Sequence, residues 1–227
     1  MVRLVWAALV LAWPLVAHAG PDRYFNAAFT VTDAPVTFGQ APSWTQDGRV
    51  LWTKKDEANV DQVHVSDLDG AHESCLTCGL PGPNRYPLER PKKRDWILFC
   101  SWRGQTFIGA PCFGGYGTDL FVMRPDGTQP TRLTQVDAGR VPQDNYHPAW
   151  SPDGTRLVWT HLDFNAVEQG GTQYRILLAD FVDDASGPHL AKVQKVQAVG
   201  PVWDAAIETQ VWAPDGSVVL FTSSRPT

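Results

Sequence analysis

The chain has 227 residues, of which 43% are hydrophobic and 19% are charged, and its formal net charge is −5. This length allows a single domain with a substantial core. The mild negative charge gives no electrostatic reason to expect nucleic acid or an anionic membrane surface as a partner. The one basic run, residues 90–94 (RPKKR), contains a proline and is interpreted as a solvated turn.

The N-terminal residues have the pattern of a secretory signal peptide. Arg3 is followed by an apolar run over residues 4–16, and residues 17–19 (AHA) form a small-x-small cleavage pattern. The apolar run is too short to cross a bilayer, so we expect no membrane span. Residues 1–19 are therefore predicted to be removed, and residues 20–227 to be exported to the periplasm or the extracellular space.

One pattern recurs along the exported part: a tryptophan, two residues, Asp-Gly, two residues and an apolar strand. It occurs at residues 41–53 (APSWTQDGRVLWT), 147–160 (HPAWSPDGTRLVWT) and 209–222 (TQVWAPDGSVVLFT). A divergent copy at residues 86–101 (YPLERPKKRDWILFCS) has Glu89 at the tryptophan position. The repeated tryptophans, Trp44, Trp150 and Trp212, are predicted to pack between repeats. The repeated Asp-Gly pairs are interpreted as structural turns, because glycine supplies the positive φ angle needed there; they are Asp47-Gly48, Asp153-Gly154 and Asp215-Gly216.

A second pattern, an alternating strand before a turn, lies between these copies. It occurs at residues 62–70 and 119–127 and, more loosely, at 175–187, and a short strand follows each. No long stretch has the apolar spacing of a helix. Two hairpins per repeat predict an all-β fold of four-stranded antiparallel units.

A four-stranded unit that recurs in this way is typical of a β-propeller blade. We predict about three and a half blades, at approximately residues 36–82, 83–138, 139–200 and 201–227, the last being partial. Because propellers close with ~4–8 blades, we expect an incomplete ring. Its open blade edge is predicted to favour self-association.

The residues HPAWSPDGTRLVW, 147–159, resemble the repeat of TolB-like, WD-like propellers, which also occurs in the propeller domains of prolyl oligopeptidase relatives. The resemblance extends over essentially the whole exported chain. It departs from the family in two respects. TolB carries an α/β domain before its propeller, whereas here the first repeat begins soon after the predicted cleavage site, and the sequence is expected to end midway through a blade. The peptidase relatives place their catalytic domain after the propeller.

Four cysteines lie in the exported part: Cys75, Cys78, Cys100 and Cys112. Export makes disulfides the default, and among the three pairings we favour the local pairs Cys75–Cys78 and Cys100–Cys112. A redox dithiol at CLTC fits less well because no helical pattern follows it. A four-cysteine metal site fits less well because the second pair is too widely spaced. We expect neither a bound metal nor a cofactor.

No nucleophile motif is present, since no G-x-S-x-G pentapeptide occurs. Ser151 occupies the first turn position, where sister copies have Thr45 and Ala213, so its place in the repeat explains it. No catalytic residue is therefore predicted, and the sequence favours a protein that is not an enzyme.

His147 differs from its sister residues, and this makes it a candidate binding residue. It is expected to face the channel, either simply as a polar strand-end residue or as part of a cluster that takes a cation or orients a ligand. The other members of that cluster would be Asn145, His161 and Asp163.

Aromatic residues outside the repeat positions are candidates for exposed contacts: Trp102, Phe107, Tyr116 and Trp203. Binding function is usually carried by loops. The sequence therefore predicts an exported, non-catalytic propeller that binds a protein or peptide through loops at one end of its channel. Two alternatives stay open: a propeller-type enzyme, either a metal-assisted lyase or hydrolase, and the propeller part of a larger prolyl oligopeptidase-like peptidase.

Overall fold

The computed structural model describes residues 40–102, 117–136, 143–163, 173–196 and 207–223. These residues form fourteen strands and no helix. None of them forms a helix that is long and apolar enough to cross a membrane.

The strands form three four-stranded antiparallel sheets and one two-stranded sheet, each with its strands in chain order. Blade 1 consists of β1 (Gln40–Trp44), β2 (Val50–Lys55), β3 (Asp61–Ser66) and β4 (Ser74–Cys75). Blade 2 consists of β5 (Asn84–Glu89), β6 (Ile97–Trp102), β7 (Thr118–Met123) and β8 (Thr131–Arg132). Blade 3 consists of β9 (Gln143–Trp150), β10 (Arg156–Asp163), β11 (Gln173–Asp184) and β12 (Gly187–Val196). Blade 4 consists of β13 (Ile207–Trp212) and β14 (Val219–Ser223).

The first strands of successive blades contact one another: β1 contacts β5, β5 contacts β9, and β9 contacts β13. They are therefore the inner strands, and each blade runs outward from them. This succession of antiparallel meanders is a β-propeller, as the sequence predicts.

The hydrophobic cores lie between neighbouring blades. The three clusters of buried apolar residues join blade 1 to blade 2, blade 2 to blade 3, and blade 3 to blade 4. Strand β10 shows why the sequence has apolar residues on both faces. Leu157 and Trp159 pack toward blade 2, whereas Val158, between them in sequence, packs toward blade 4. Each strand therefore contributes to two cores, since successive side chains point to opposite faces of a sheet.

The two ends of the propeller differ in their connections. Short turns join the first strand of each blade to the second, and the third to the fourth, and several of them contain Asp-Gly. In an antiparallel sheet these turns all lie at one end, here named the turn end. The opposite, loop end carries the β2–β3 turn, the β6–β7 and β10–β11 connections and the links between blades. The longest of these include residues 103–116, 164–172 and 197–206, which lie outside the described residues.

The repeated tryptophans pack against the blade that precedes them. Trp150 donates from Nε1 to the Leu88 carbonyl at 3.2 Å, and Trp212 donates to the Ala149 carbonyl at 3.2 Å. Trp44 is 63% exposed. The prediction of packing between blades is wrong for Trp44, because no blade precedes β1 among the described residues.

The basic run is only partly a solvated turn. Its lysines and Arg94 are exposed, but Arg90 is buried. The Arg90 guanidinium donates from Nε to the Gly154 carbonyl at 2.7 Å and lies 4.6 Å from the centre of the Phe181 ring. The interpretation as solvated is therefore wrong for Arg90, whose side chain joins the turn of blade 2 to that of blade 3.

Candidate functional site

The inner strands of the first three blades bend at one repeat position. Ala41, Tyr86 and His147 have φ angles of 48°, 56° and 47°, and each precedes a proline. Pairing with the second strand is interrupted at each of these positions, which leaves a β-bulge. A bulge re-aims the side chains around it. In blade 3 the bulge lies at His147, which lines a groove between the inner strands.

A groove lies between the inner strands β5, β9 and β13, with a volume of about 510 Å³. Its lining runs from Tyr86, His147 and Thr209 at mid-strand to Pro91 and Val211 at the turn end. This volume falls in the ~300–1,000 Å³ range of pockets that bind small ligands. The groove is therefore large enough for side chains of a bound peptide.

His147 has both aromatic and charged neighbours in this groove. Its ring lies edge-on to Tyr86, with 5.5 Å between ring centres, and its Nδ1 lies 3.7 Å from Glu208 Oε2. Burial lowers the pKa of His147, and the Glu208 carboxylate opposes that shift. The imidazole is therefore mostly uncharged at neutral pH, with the Glu208 carboxyl group beside it.

Asn145 and His161 are neighbours at the loop-end half of blade 3. They pair in the β9–β10 register, and His161 Nδ1 lies 2.9 Å from Asn145 Oδ1. Asn145 is buried, accepts a hydrogen bond from Trp159 Nε1 at 3.0 Å and donates to Asp119 Oδ1 at 3.2 Å. Asp163 is the last residue of β10 and pairs with Gln143.

The contact of Asn145 with the preceding blade is repeated elsewhere in the propeller. Asn84, at the same repeat position in blade 2, donates to Gln62 Oε1 on β3 at 2.9 Å. Gln62 corresponds to Asp119 on β7, and a threonine hydroxyl donates to each of them. Because the same contact occurs at two blade junctions, Asn145 has a structural role that its place in the repeat explains.

Two buried carboxyl groups at this junction have no counterpart in the sequence predictions. Asp119 accepts hydrogen bonds from Arg132, Thr134 and Asn145, while burial raises its pKa. Asp144 accepts a hydrogen bond from the Thr118 amide at Oδ1, and its buried Oδ2 has no hydrogen-bond partner among the described residues. Burial raises the pKa of Asp144 to about 7. In the sequence, Asp144 is simply a carboxyl residue next to Asn145, and nothing in the pattern indicates that it is buried.

Glu208 was also missed, although it directly precedes Thr209, the blade 4 counterpart of His147. Its proximity to His147 follows from the packing of β13 on β9. Thr209 fixes that packing, since its hydroxyl donates to the His147 carbonyl and its amide donates to Thr160 Oγ1 at 2.9 Å.

The structure contains one of the two favoured disulfides. Cys75 and Cys78 are bonded, with their Cα atoms 5.7 Å apart. Cys100 is a free thiol, fully buried in the core between blades 2 and 3, and the favoured pairing with Cys112 is not formed. Cys112 lies outside the described residues.

Of the aromatic candidates, Trp102 lies at the loop end. Trp102 is the last residue of β6; it is half-buried, and its amide donates to the Pro83 carbonyl at 3.1 Å. Phe107, Tyr116 and Trp203 lie outside the described residues. Their role as exposed contacts stays a prediction.

Metal-ligating side chains come together at a different place from the predicted cluster. Within the described parts of the chain, one group of three lies close together, and it consists of His64, Cys75 and Cys78. His147 and His161 are not members of it.

No protein-family model and no curated protein matches the chain. Several solved structures are similar to it. A putative TolB from Agrobacterium tumefaciens is 20% identical, with a TM-score of 0.46 over 70% of this chain and 47% of that structure. TolB from Acinetobacter baumannii is 15% identical, with a TM-score of 0.49 over 81% of this chain and 43% of that structure.

The chain is similar to TolB. A mutant of puromycin hydrolase complexed with PGG is also similar, at 15% identity, with a TM-score of 0.39 over 84% of this chain and 36% of that structure. The chain thus spans less than half the length of each of these structures. The assignment of the propeller fold rests on the sheets of this chain itself.

Proposed function

We propose that this chain is an exported, non-catalytic β-propeller that binds a peptide segment of a protein partner. The groove between the inner strands carries this proposal. Its walls combine apolar side chains, among them Leu88, Pro148 and Val211, with a few polar groups around His147. Pockets with mostly apolar walls and a few placed polar groups are suited to orienting a bound ligand.

The charges of the groove favour a basic group on the peptide. Glu208 is partly exposed beside the uncharged His147, and Glu89 contributes to the groove wall. No lysine or arginine is among the described lining residues. A lysine or arginine side chain of the peptide would therefore find a carboxylate beside an apolar wall.

A larger partner would make a second contact at the loop end. The described strands β6, β10 and β12 end there before the long connections, and loops held by a rigid scaffold commonly carry binding function. The aromatic candidates Trp102, Phe107, Tyr116 and Trp203 are proposed for this contact. The proposed location outside the cytoplasm is supported by the signal-peptide pattern and by the Cys75–Cys78 disulfide.

Peptide binding can be tested with a phage-displayed library of random peptides selected on the immobilised full chain. We expect selected peptides to carry a basic residue next to apolar ones. A synthetic selected peptide should bind the Glu208→Gln variant about tenfold more weakly, as expected for loss of a hydrogen bond to a charged group. Fluorescence polarisation of the labelled peptide measures the affinity.

The matched control is Glu57→Gln, which removes the same charge from an exposed residue of the β2–β3 turn. Its affinity for the peptide should equal that of the wild type. Equal affinities of all three proteins, or a failure to select any peptide above background, would contradict the groove as a peptide site.

A further inference from the structure

A buried histidine lies beside the Cys75–Cys78 disulfide. His64 of β3 pairs with Cys75 of β4 in the backbone register, and side chains at such paired positions are close neighbours. A ring nitrogen of His64 and the sulfur atoms of Cys75 and Cys78 all lie within 4.8 Å of one another. Neither the groove nor the blade contacts described above use this cluster.

The surroundings of His64 suit a metal ligand better than a core residue. His64 is 8% exposed, and neither of its ring nitrogens makes a hydrogen bond of good geometry among the described residues. Its Nδ1 lies 2.8 Å from Glu73 Oε1. A carboxylate beside one ring nitrogen, with the other nitrogen unpartnered among the described residues, is the usual arrangement around a histidine that binds a metal.

The two cysteines complete a donor set. The Cys-x-x-Cys spacing is that of zinc sites, and thiolate sulfur together with imidazole nitrogen selects Zn²⁺ over harder cations. Cys78 is exposed and Cys75 half-buried, so a reductant and an ion can reach both sulfur atoms.

We propose that the reduced form of this chain binds one Zn²⁺ through His64, Cys75 and Cys78. A dithiol reductant supplies two electrons and two protons, which convert the disulfide into two thiols while the reductant forms its own disulfide. Zn²⁺ then displaces both thiol protons, so two Zn–S bonds and one Zn–N bond form. Three protein ligands leave one position for water. The disulfide and the ion compete for the same sulfur atoms, which makes the site dependent on redox state.

Cobalt(II) is the spectroscopic probe for this site, with the full chain reduced by a phosphine. We expect one Co²⁺ per chain, with a sulfur-to-cobalt charge-transfer band and the intense visible bands of tetrahedral cobalt, and we expect Zn²⁺ to abolish both. The oxidised wild type is a control that needs no mutation and should show neither. Circular dichroism of the reduced chain checks that the sheets persist.

Variants separate the ligands from their surroundings. Cys78→Ser should remove one thiolate and lower the charge-transfer intensity, and His64→Gln should weaken binding and shift the visible bands. Glu73→Gln should weaken Zn²⁺ binding by about 10- to 100-fold, as for partners of metal-bound histidines. His72→Gln, at an exposed histidine of the β3–β4 connection, is the matched control and should bind like the wild type.

Three outcomes would overturn the proposal. The reduced wild type could bind no Co²⁺, the oxidised form could bind equally well, or His64→Gln could give the same spectrum and affinity as the wild type. The first two comparisons use only the wild-type chain, so the proposal stays testable if a variant fails to fold. Neither comparison involves the groove, so this result is independent of the test of peptide binding.

Discussion

Burial determines the protonation of Asp144. Its side chain is fully buried at the junction of blades 2 and 3, and among the described residues only one of its carboxyl oxygens accepts a hydrogen bond. Desolvation is the main cause of its raised pKa, about 7, and the nearby Asp119 carboxylate adds a smaller repulsion. Asp144 therefore carries its proton over much of the pH range in which an unfolded aspartate is ionised.

This shift predicts that Asp144 makes stability depend on pH. Its pKa is about 7 in the folded chain and about 3.9 in an unfolded chain. Because the folded value is the higher one, its contribution is fully present below about pH 4 and is lost as the pH rises through about 7. Asp144→Asn should remove this loss. The free energy of unfolding of the variant, relative to that of the wild type, should therefore rise by roughly 2–4 kcal/mol from pH 4 to pH 8. Urea unfolding at both pH values measures it.

Asp153→Asn is the control for this experiment, because the pKa of Asp153 is lowered to about 2, chiefly by the Ser151 hydroxyl. In the folded chain the Asp153 carboxyl group therefore stays ionised from pH 4 to pH 8. His64 and His147 titrate alike in the wild type and in Asp144→Asn, so their effects cancel in the difference. Parallel pH profiles of wild type and Asp144→Asn would contradict the buried, protonated carboxyl.

The Asp-Gly turn is the element whose structure the sequence indicates most fully. Asp153 accepts hydrogen bonds from the amide and hydroxyl of Thr155, and Asp215 makes the same pair of contacts with Ser217. Gly154 follows with a φ angle of 70°. These contacts are local, so they are encoded within a few residues.

At Gly154 the turn of blade 3 also lies directly against blade 2. A Cβ atom on Gly154 would lie 2.5 Å from the Pro91 carbonyl oxygen. Gly154→Ala should therefore cost the strain of a positive φ angle, about 1 kcal/mol, and a further ~1–3 kcal/mol for the clash with blade 2. Chemical denaturation followed by tryptophan fluorescence measures the loss.

Gly48→Ala is the matched control, since Gly48 has a φ angle of 88° and a Cβ atom added there would meet no atom within 4 Å. It should cost only the backbone strain. Equal losses of unfolding free energy in the two variants would contradict close packing of the blade 3 turn against blade 2.

The same distinction between local and distant contacts explains which features the sequence predicts. Strands, turns and the repeat follow from short patterns, and the structure has them as three four-stranded blades and a two-stranded one. From the sequence, Arg90 is simply part of a basic turn, because its partner, the Gly154 carbonyl, belongs to blade 3. Likewise, Tyr86 and Glu208, which lie beside His147, belong to β5 and β13, so a pattern within blade 3 alone could not indicate the groove.

At the scale of the whole molecule, the described propeller has two uncovered faces. On blade 1, Trp44 is 63% exposed, although its counterparts in blades 3 and 4 are buried against a preceding blade. On blade 4, Val211 and Leu220 are 52% and 42% exposed. Exposed apolar side chains at blade faces are typical of surfaces that pack on another sheet.

These faces predict self-association from head to tail. The surfaces that meet inside the propeller are the trailing face of one blade and the leading face of the next, so blade 4 of one copy is expected to pack on Trp44 of another. Such a heterologous contact closes a ring or extends into a chain. We expect sedimentation velocity to show a mass that rises with protein concentration.

Two variants at opposite faces test this geometry. Trp44→Glu should abolish association by spoiling the blade 1 face, and Leu220→Glu should do so by spoiling the blade 4 face. Each keeps the face that the other has lost, so an equal mixture should form heterodimers through one intact contact and grow no further. Val193→Glu, at an exposed position of the outer strand β12, is the control and should associate like the wild type. A wild type that stays monomeric at every concentration, or variants that associate unchanged, would contradict head-to-tail association through these two faces.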